Sequence, residues 1–296
     1  MRLVFDHGTI LLADSAGLNL DAIPGLLYDP RVSLFRAPAW RYREVLDALR
    51  ARGLAVTDEV RPGAGSPTGP WQALDLRPYQ RGASLSWELA GRRGIVVLPT
   101  GSGKTQLALA VLAATQARAL CLVPTRALLE QWIRALESVY VGPVGCLGDG
   151  QRCLGPVTVA TFESAYRLMP RIGRDFALLV VDEVHHFGVG VRDEALEMCC
   201  AEQRLGLTAT PPDEPALLRL RGLIGPVVYR LGVGDLAGTW LADFDLVVLR
   251  LGLDPEERER YQADHRVFAE VNRRFRRLHP NATWQEFVGA ASQSRA

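Results

Sequence analysis

Five short apolar runs, at residues 94–98, 119–123, 157–161, 177–182 and 203–208, alternate with stretches in which Ala, Leu and Val recur at helical spacing. A strand that is apolar on both sides of its pleat must be covered on both faces, and strands separated by helices pair in parallel through right-handed crossovers. The pattern predicts an α/β fold, a parallel sheet flanked by helices. Ahead of it, 4–12 and 26–35 read as short strands around turns, and 40–52 as a helix ending at Gly53, together a small α+β unit. Between the two, Arg61-Pro62-Gly63-Ala64-Gly65-Ser66-Pro67-Thr68-Gly69-Pro70 supports neither helix nor strand. The expected organisation is a small N-terminal domain over 1–65, a lobe over 72–232 and a further region over 233–296.

Length and composition agree with that layout: 296 residues, 48% hydrophobic and 23% charged, can bury a substantial core. The first residues include Asp6 and no signal-type apolar core, and no run of about 20 uncharged apolar residues occurs, so no membrane contact and a cytoplasmic location are expected. A formal net charge of +1 gives no global attraction to nucleic acid, so any DNA contact must come from a local surface. The five cysteines (Cys121, Cys146, Cys153, Cys199, Cys200) form no Cys-x-x-Cys pair, and Cys199-Cys200 fall in a predicted helix where they cannot face one metal. Buried free thiols are expected.

One position stands out chemically. Of 34 basic residues, 33 are arginine and one, Lys104, is lysine, and it lies in Pro99-Thr100-Gly101-Ser102-Gly103-Lys104-Thr105. A compact ammonium on a flexible stem enters a tight backbone cradle around phosphates more easily than a wide planar guanidinium does. The apolar run before this loop and the helical pattern after it give the strand–loop–helix order of a phosphate-binding loop. Gly101 and Gly103 let amides turn inward, the helix start adds partial positive charge, and Thr105 offers a hydroxyl to Mg²⁺. The strict motif asks for glycine where Leu98 stands, so the match is to the shorter Gly-x-Gly-Lys-Thr core.

The second signal is 176–186, an apolar strand that stops abruptly at Asp182-Glu183 before Val184-His185-His186. Carboxylates at the C-terminal edge of a parallel sheet stand where open α/β folds bind ligands. Asp182 can hold Mg²⁺ and Glu183 can orient or deprotonate an attacking water, which is what phosphoryl transfer requires. His185 and His186 are adjacent, are expected to point in opposite directions and have no third ligand nearby. A zinc site is therefore disfavoured, and His185 is read as a polar relay from the hydrolysis site to another segment.

Gly-Ser-Gly-Lys-Thr at 101–105, Asp-Glu-Val-His at 182–185 and Leu207-Thr208-Ala209-Thr210-Pro211-Pro212 resemble motifs I, II and III of superfamily 2 helicases. The Asp-Glu-Val-His-His form points to the branch of the xeroderma pigmentosum group B (XPB) helicase and its archaeal and bacterial relatives. The N-terminal unit, notably Tyr28-Asp29-Pro30-Arg31-Val32, is similar to that of bacterial XPB-like proteins. The resemblance implies a RecA-like P-loop lobe that binds ATP and Mg²⁺ and acts on double-stranded or forked DNA. It implies that Lys104, Asp182, Glu183 and His185 are catalytic, and that Thr100, Gly101, Ser102, Gly103, Lys104 and Thr105 cradle phosphate. Thr105 and Asp182 would hold the metal. Leu76-Arg77-Pro78-Tyr79-Gln80 resembles the adenine-recognition segment, with Gln80 reading the base edge and Arg77 supporting it. Val123-Pro124-Thr125-Arg126 and 159–164 resemble the DNA-contact motifs Ia and Ib, implicating Thr125, Arg126 and Thr161, although Arg126 also reads as an ordinary charge at a helix start. Thr208, Ala209 and Thr210 would couple hydrolysis to movement. The N-terminal unit is either a DNA- or damage-recognition domain or a structural cap.

A motor of this superfamily needs a second RecA-like lobe, in cis or in trans, whose arginines reach the γ-phosphate. Past Pro212, 84 residues remain. They hold strand-like runs at 227–231 and 244–251 and a helix opened by Asp254-Pro255-Glu256-Glu257-Arg258, but no Gln-x-x-Gly-Arg-x-x-Arg segment. The chain is therefore expected to stop after the first lobe, within a region between lobes. The basic end of that helix, Arg273-Arg274-Phe275-Arg276-Arg277, is a solvated face or a nucleic-acid surface. The family's Arg-Glu-Asp element does not occur, which favours translocation over strand separation. The resulting expectation is an ATP-dependent DNA helicase or translocase lobe, with a nuclease among its possible partners. A nucleotide-responsive DNA-binding adaptor and the motor subunit of a restriction or defence complex are the alternatives.

Overall fold

The computed structural model describes residues 1–15, 20, 23–65, 68–242, 251–280, 282 and 284–293. Packing divides the chain into two units, Met1–Asp243 and Phe244–Ala296.

The first unit contains two sheets. The smaller comprises β1 (Arg2–Asp6), β2 (Thr9–Ala13), β3 (Leu27–Asp29), β4 (Leu34–Pro38) and β5 (Thr57–Asp58), ordered β3-β4-β2-β1-β5. All its pairings are antiparallel except β1 with β5. Helix α1 (Tyr42–Ala51) buries Val45, Leu46 and Leu49 on one face, the i, i+1, i+4 spacing of an amphipathic helix, against Leu3, Ile10 and Leu12. The core of this sheet also takes in Cys200 from the larger module, and Arg43 pairs with Glu202 at 3.1 Å. The intervening segment is irregular but pinned: Gly63 donates its N–H to Arg174 O at 2.9 Å, and a Cβ there would lie 2.5 Å from the backbone nitrogen of Ala177.

The larger sheet is built from β6 (Arg93–Val97), β7 (Ala119–Val123), β8 (Val144–Gly148), β9 (Gln151–Cys153), β10 (Val157–Thr161), β11 (Leu178–Val181), β12 (Gln203–Thr208) and β13 (Val227–Arg230). Their order is β13-β6-β12-β11-β7-β10-β8-β9, parallel throughout except for the β8–β9 hairpin. Helices α2 (Pro78–Leu89), α3 (Lys104–Thr115), α4 (Arg126–Glu137), α5 (Phe162–Ile172), α6 (Glu194–Glu197), α7 (Glu214–Leu223) and α8 (Val233–Leu236) complete the module. Two apolar cores, one around Trp87, Leu109 and Trp132 and one around Phe162, Phe176 and Leu196, cover the two faces. The strands alternate between them, so Val96 belongs to the first core and Ile95 and Val97 to the second.

All five strands expected from the sequence are present, and so is the strand at 227–230. The hairpin β8–β9 is additional: Asp149 and Gly150 adopt φ values of 49° and 79° at its turn, the left-handed pair that a two-residue hairpin requires. Cys199 and Cys200 are not helical, because α6 ends at Glu197, and Cys153 is exposed on the edge strand β9 while the other four cysteines are buried. Residues 244–250 of the run expected at 244–251 lie outside the described residues.

The second unit holds α9 (Pro255–Leu278) and α10 (Trp284–Gln293). Asp254 and Glu257 close a reciprocal capping box at 2.8 and 3.1 Å, with Pro255 in the first turn. Phe268, Phe275 and Trp284 all pack on Phe287, with centroids 5.4–5.7 Å away. Phe275 therefore belongs to a helix–helix contact, and the arginines around it do not share their face with an exposed aromatic ring. Among the described residues no helix is long and apolar enough to cross a membrane.

Candidate functional site

Because the central strands are parallel and in register, their C-terminal ends form one edge. Thr208 pairs with Val97, Val181 with both Gly206 and Leu122, and Thr161 with Val123. The segments that leave these strands are 98–103, 182–186, 124–125 and 209–213, with Thr161 at the end of β10. The glycine-rich loop, the Asp182-Glu183 turn, the Thr208–Thr210 segment and the segments holding Thr125 and Thr161 therefore lie along one rim of the sheet.

The glycine-rich loop is a tight turn. Gly101 and Gly103 have φ values of 80° and 79°, and Gly103 caps the start of α3, whose first-turn amides have no intrahelical acceptors. Leu98 donates its N–H to Thr208 O at 3.0 Å, tying the loop to β12. Ser102 is fully buried and spends both its hydroxyl (2.7 Å) and its N–H (3.3 Å) on Pro99 O. Its role is to shape the turn. Lys104 Nζ lies 3.4 Å from Leu98 O and 3.5 Å from Pro99 O, held over the loop's own carbonyls.

Asp182 is 7% exposed. Burial pushes its carboxyl above the ordinary range, opposed by a hydrogen bond from the Trp132 indole N–H at 2.9 Å, while Glu183 adds to the rise. The Glu183 backbone N–H, at 3.0 Å, and the charge of Lys104 favour the ionised form. The loop that carries Lys104 leaves β6 and the turn that carries Asp182 leaves β11, both at the same rim of the sheet. A carboxylate there with a threonine hydroxyl at the head of α3 is an all-oxygen donor set of the kind Mg²⁺ prefers, so the residues fit that ion. Glu183 sits in the left-handed region (φ 49°), a strained setting for a side chain and a recurrent one at functional sites.

His185 Nδ1 lies 2.9 Å from Thr208 Oγ1 and 3.4 Å from a Glu183 carboxylate oxygen. The Thr208 hydroxyl donates to Thr210 O at 2.8 Å and accepts the Thr210 N–H at 3.1 Å. Glu183, His185, Thr208 and Thr210 are thereby joined in one polar chain. The two histidines do not diverge as expected: 184–186 is a 3₁₀ turn, which brings the rings within 4.4 Å at 31°. Among the described residues no group of three or more His, Cys, Asp or Glu is placed to hold a metal.

Gln80 lies beneath the phosphate loop. It is 3% exposed, its carbonyl oxygen accepts the Arg77 N–H at 2.9 Å, and its amide nitrogen donates to Ser102 O at 3.0 Å and Gly103 O at 3.1 Å. The amide edge is engaged with the phosphate loop. Arg77 packs its guanidinium on Trp240, 5.4 Å from the ring centroid.

Thr125 and Thr161 are N-caps, accepting from Leu128 N and Ser164 N at 3.2 Å each. With Arg126, Arg152 and Arg167 they line a cleft of about 580 Å³ floored by the β8–β9 turn, and Arg126 pairs with Asp149 of that turn at 3.1 Å. The hairpin's share of this cleft was missed from sequence, although Asp149-Gly150 is itself a turn signal. Trp132 and Arg204 were missed as well. Arg204, fully buried, donates to the carbonyls of Leu196, Cys199, Ala201 and Leu223 at 2.5–3.0 Å, while its own carbonyl accepts the Trp87 indole N–H at 2.9 Å. It fastens the segment after the Asp-Glu pair to the end of α7. A basic residue at the start of a strand carries no sign of such a role.

Fold and rim define a P-loop α/β lobe. Residues 3–60 match the family described as xeroderma pigmentosum group B helicase damage recognition domain, and residues 73–213 the family described as type III restriction enzyme, res subunit. The DNA 3'-5' translocase XPB2 of Sulfurisphaera tokodaii is 35% identical over 239 residues, covering 80% of this chain and 54% of that protein. The putative DNA 3'-5' helicase Rad25 of Halobacterium salinarum is 36% identical over 224 residues (71% and 37%), and the DNA 3'-5' helicase XPB of Mycobacterium tuberculosis 33% over 210 (64% and 36%). The chain belongs to the XPB-like branch of superfamily 2 helicases, and it spans about half or less of the length of these relatives.

Proposed function

We propose that this chain is the ATP-binding first lobe of a cytoplasmic DNA translocase or helicase, with 1–65 as a DNA-recognition domain, 72–232 as the motor lobe and 233–296 opening the region between lobes. The observation that carries the reading is the common rim at which the loop holding Lys104 and the turn holding Asp182 leave the parallel strands, with the Glu183–His185–Thr208–Thr210 chain beside it. The amides at the head of α3 bind phosphate oxygens, and Lys104 leaves the Leu98 and Pro99 carbonyls to neutralise the outer phosphates. Thr105 and Asp182 would hold Mg²⁺, which when bound neutralises charge on the phosphate oxygens. Glu183 orients the attacking water, and His185 passes its state to Thr208 and so to the turn at 209–213. Thr125, Arg126 and Thr161 contact backbone phosphates of double-stranded or forked DNA in the cleft floored by 149–150. A second RecA-like lobe, in cis or in trans, supplies the arginines that complete hydrolysis, and a nuclease is a fitting partner. The family description matched by 73–213 favours one second reading, the motor of a restriction complex.

The test is equilibrium binding of Mg-ATP to residues 1–296, wild type beside Lys104→Ala and Glu183→Gln, with DNA-stimulated hydrolysis measured after an arginine-bearing second lobe is added. Lys104→Ala should lose binding, and Glu183→Gln should keep binding and lose turnover. Undiminished binding by Lys104→Ala would refute the reading.

A further inference from the structure

Two of the five cysteines stand opposite each other. In the β8–β9 hairpin the antiparallel ladder pairs Gly148 with Gln151, Leu147 with Arg152 and Cys146 with Cys153. Directly opposed residues of an antiparallel pair share one face, with Cα atoms about 4.5–5.5 Å apart, and a disulfide spans about 4.4–6.8 Å between Cα atoms. The backbone is drawn tight at this end of the hairpin: a Cβ on Gly145 would lie 2.8 Å from Cys153 O and 2.4 Å from Gly155 N, an approach that only glycine permits. The other thiols are out of reach. Val159 of β10 pairs with Cys146 on one side and Cys121 on the other, so Cys121 lies two strand spacings from Cys146, about 9.5 Å. Cys199 and Cys200 precede β12, beyond β7 and β11 in the strand order.

The two thiols differ in access. Cys153 is exposed on the edge strand, and its Sγ makes only a weak contact, 3.9 Å from Leu154 O, which a rotation about χ1 gives up. Cys146 is 6% exposed; burial pushes its thiol up, with Asp149 and Cys153 adding to the rise. An oxidant therefore meets Cys153 first, and Cys146 is the buried neighbour that resolves the product.

We propose that Cys146 and Cys153 form a reversible disulfide site, oxidised by a small-molecule disulfide. The Cys153 thiolate attacks one sulfur of R–S–S–R, forming a mixed disulfide and releasing one thiolate. The Cys146 thiolate then attacks the Cys153 sulfur, forming the bond between the strands and releasing the second. The protein gives up two electrons and two protons, and the reagent leaves as two thiols. In a reducing compartment the pair rests as thiols and closes only when such an oxidant is supplied. The bond encloses the Asp149-Gly150 turn, which floors the cleft lined by Arg126, Arg152 and Arg167, so oxidation fastens that floor.

The test uses a cleavage site that the sequence supplies. Trypsin cuts after Arg152, between the two cysteines, so peptides 135–152 and 153–167 stay joined only through this bond. The folded 296-residue chain is treated with oxidised glutathione, its remaining free thiols are alkylated in urea, and the tryptic peptides are mapped by mass spectrometry without reductant, beside Cys153→Ser and a chain oxidised while unfolded in urea. The joined peptides should come from the folded wild type, disappear on addition of dithiothreitol and be absent from Cys153→Ser. Amide exchange over 147–152 should slow by roughly tenfold in the oxidised chain. Glutathione retained on Cys153 with Cys146 alkylated, a Cys153–Cys153 link between two chains, or joined peptides from the unfolded chain alone would each overturn the site. Exchange over 147–152 that oxidation leaves unchanged would overturn the fastening of the turn.

Discussion

Replacing Trp132 with Phe tests whether the buried indole sets the charge state of Asp182. Trp132 is 1% exposed, and its N–H lies 2.9 Å from a carboxylate that is itself nearly enclosed. A hydrogen bond to a charged group contributes about 1.5–3 kcal/mol. Trimming the indole to a phenyl ring adds a packing loss of about 1 kcal/mol, well short of the full truncation of an aromatic side chain. The expected destabilisation at neutral pH is therefore about 2.5–4 kcal/mol, read from urea unfolding followed by circular dichroism. In an Asp182→Ala background the acceptor is gone and only the packing loss of about 1 kcal/mol should remain. The pH dependence has a definite sign. Burial already holds the folded Asp182 carboxyl above its unfolded value, so its contribution to stability is complete in acid and is lost as pH rises through the folded value. Removing the indole donor raises that carboxyl further, so the gap between wild type and Trp132→Phe should fall toward the packing loss alone near about pH 3 and be full near about pH 7. Equal costs, within about 0.5 kcal/mol, in the wild-type and Asp182→Ala backgrounds would show that the hydrogen bond contributes nothing.

Arg204→Met should destabilise the protein by about 3 kcal/mol or more, since four buried carbonyls lose their donor; a midpoint shift worth less than about 1 kcal/mol would remove its role as the fastening between α6 and α7. The Arg31 guanidinium holds the Asp29 carboxyl at about 2 against an ordinary 3.8, so its stabilising contribution is complete above that ordinary value and fades as pH falls toward the folded one. Asp29→Asn should flatten the acid limb of a thermal-stability profile, and superimposable limbs would contradict the assignment. Gly103→Ala combines a left-handed backbone, at about 1–2 kcal/mol, with a Cβ driven into Gln80, and should abolish nucleotide binding; retained affinity in equilibrium dialysis would mean the loop is not held from below.

The parallel sheet and its rim were legible because their signals are local. Apolar runs such as 178–181, the glycines at 101 and 103 and the acids at 182 and 183 each report their own backbone setting. β8 escaped notice because Val144-Gly145-Cys146-Leu147-Gly148 has one β-branched residue and two glycines, so its strand character comes from pairing with β10 and not from propensity. The stacked histidines and the misplaced cysteines failed for a related reason: a 3₁₀ turn and an early helix end each shift side-chain direction within a few residues, below the resolution of a periodicity argument. Partnerships across the fold were out of reach altogether. Fifty residues separate Trp132 from Asp182, and nothing in the amphipathic pattern of α4 says which acid its buried indole will meet. Once the strand order puts β7 beside β11, that meeting acquires a consequence. Helix α4 carries Thr125 at its N-cap, where DNA phosphate is proposed to bind, and the Trp132 donor to Asp182, the carboxylate proposed to hold Mg²⁺, within the next two turns. Any displacement of that helix as a rigid body must move both, so the proposed nucleotide site and the proposed nucleic-acid cleft share a mechanical part before any second lobe is considered.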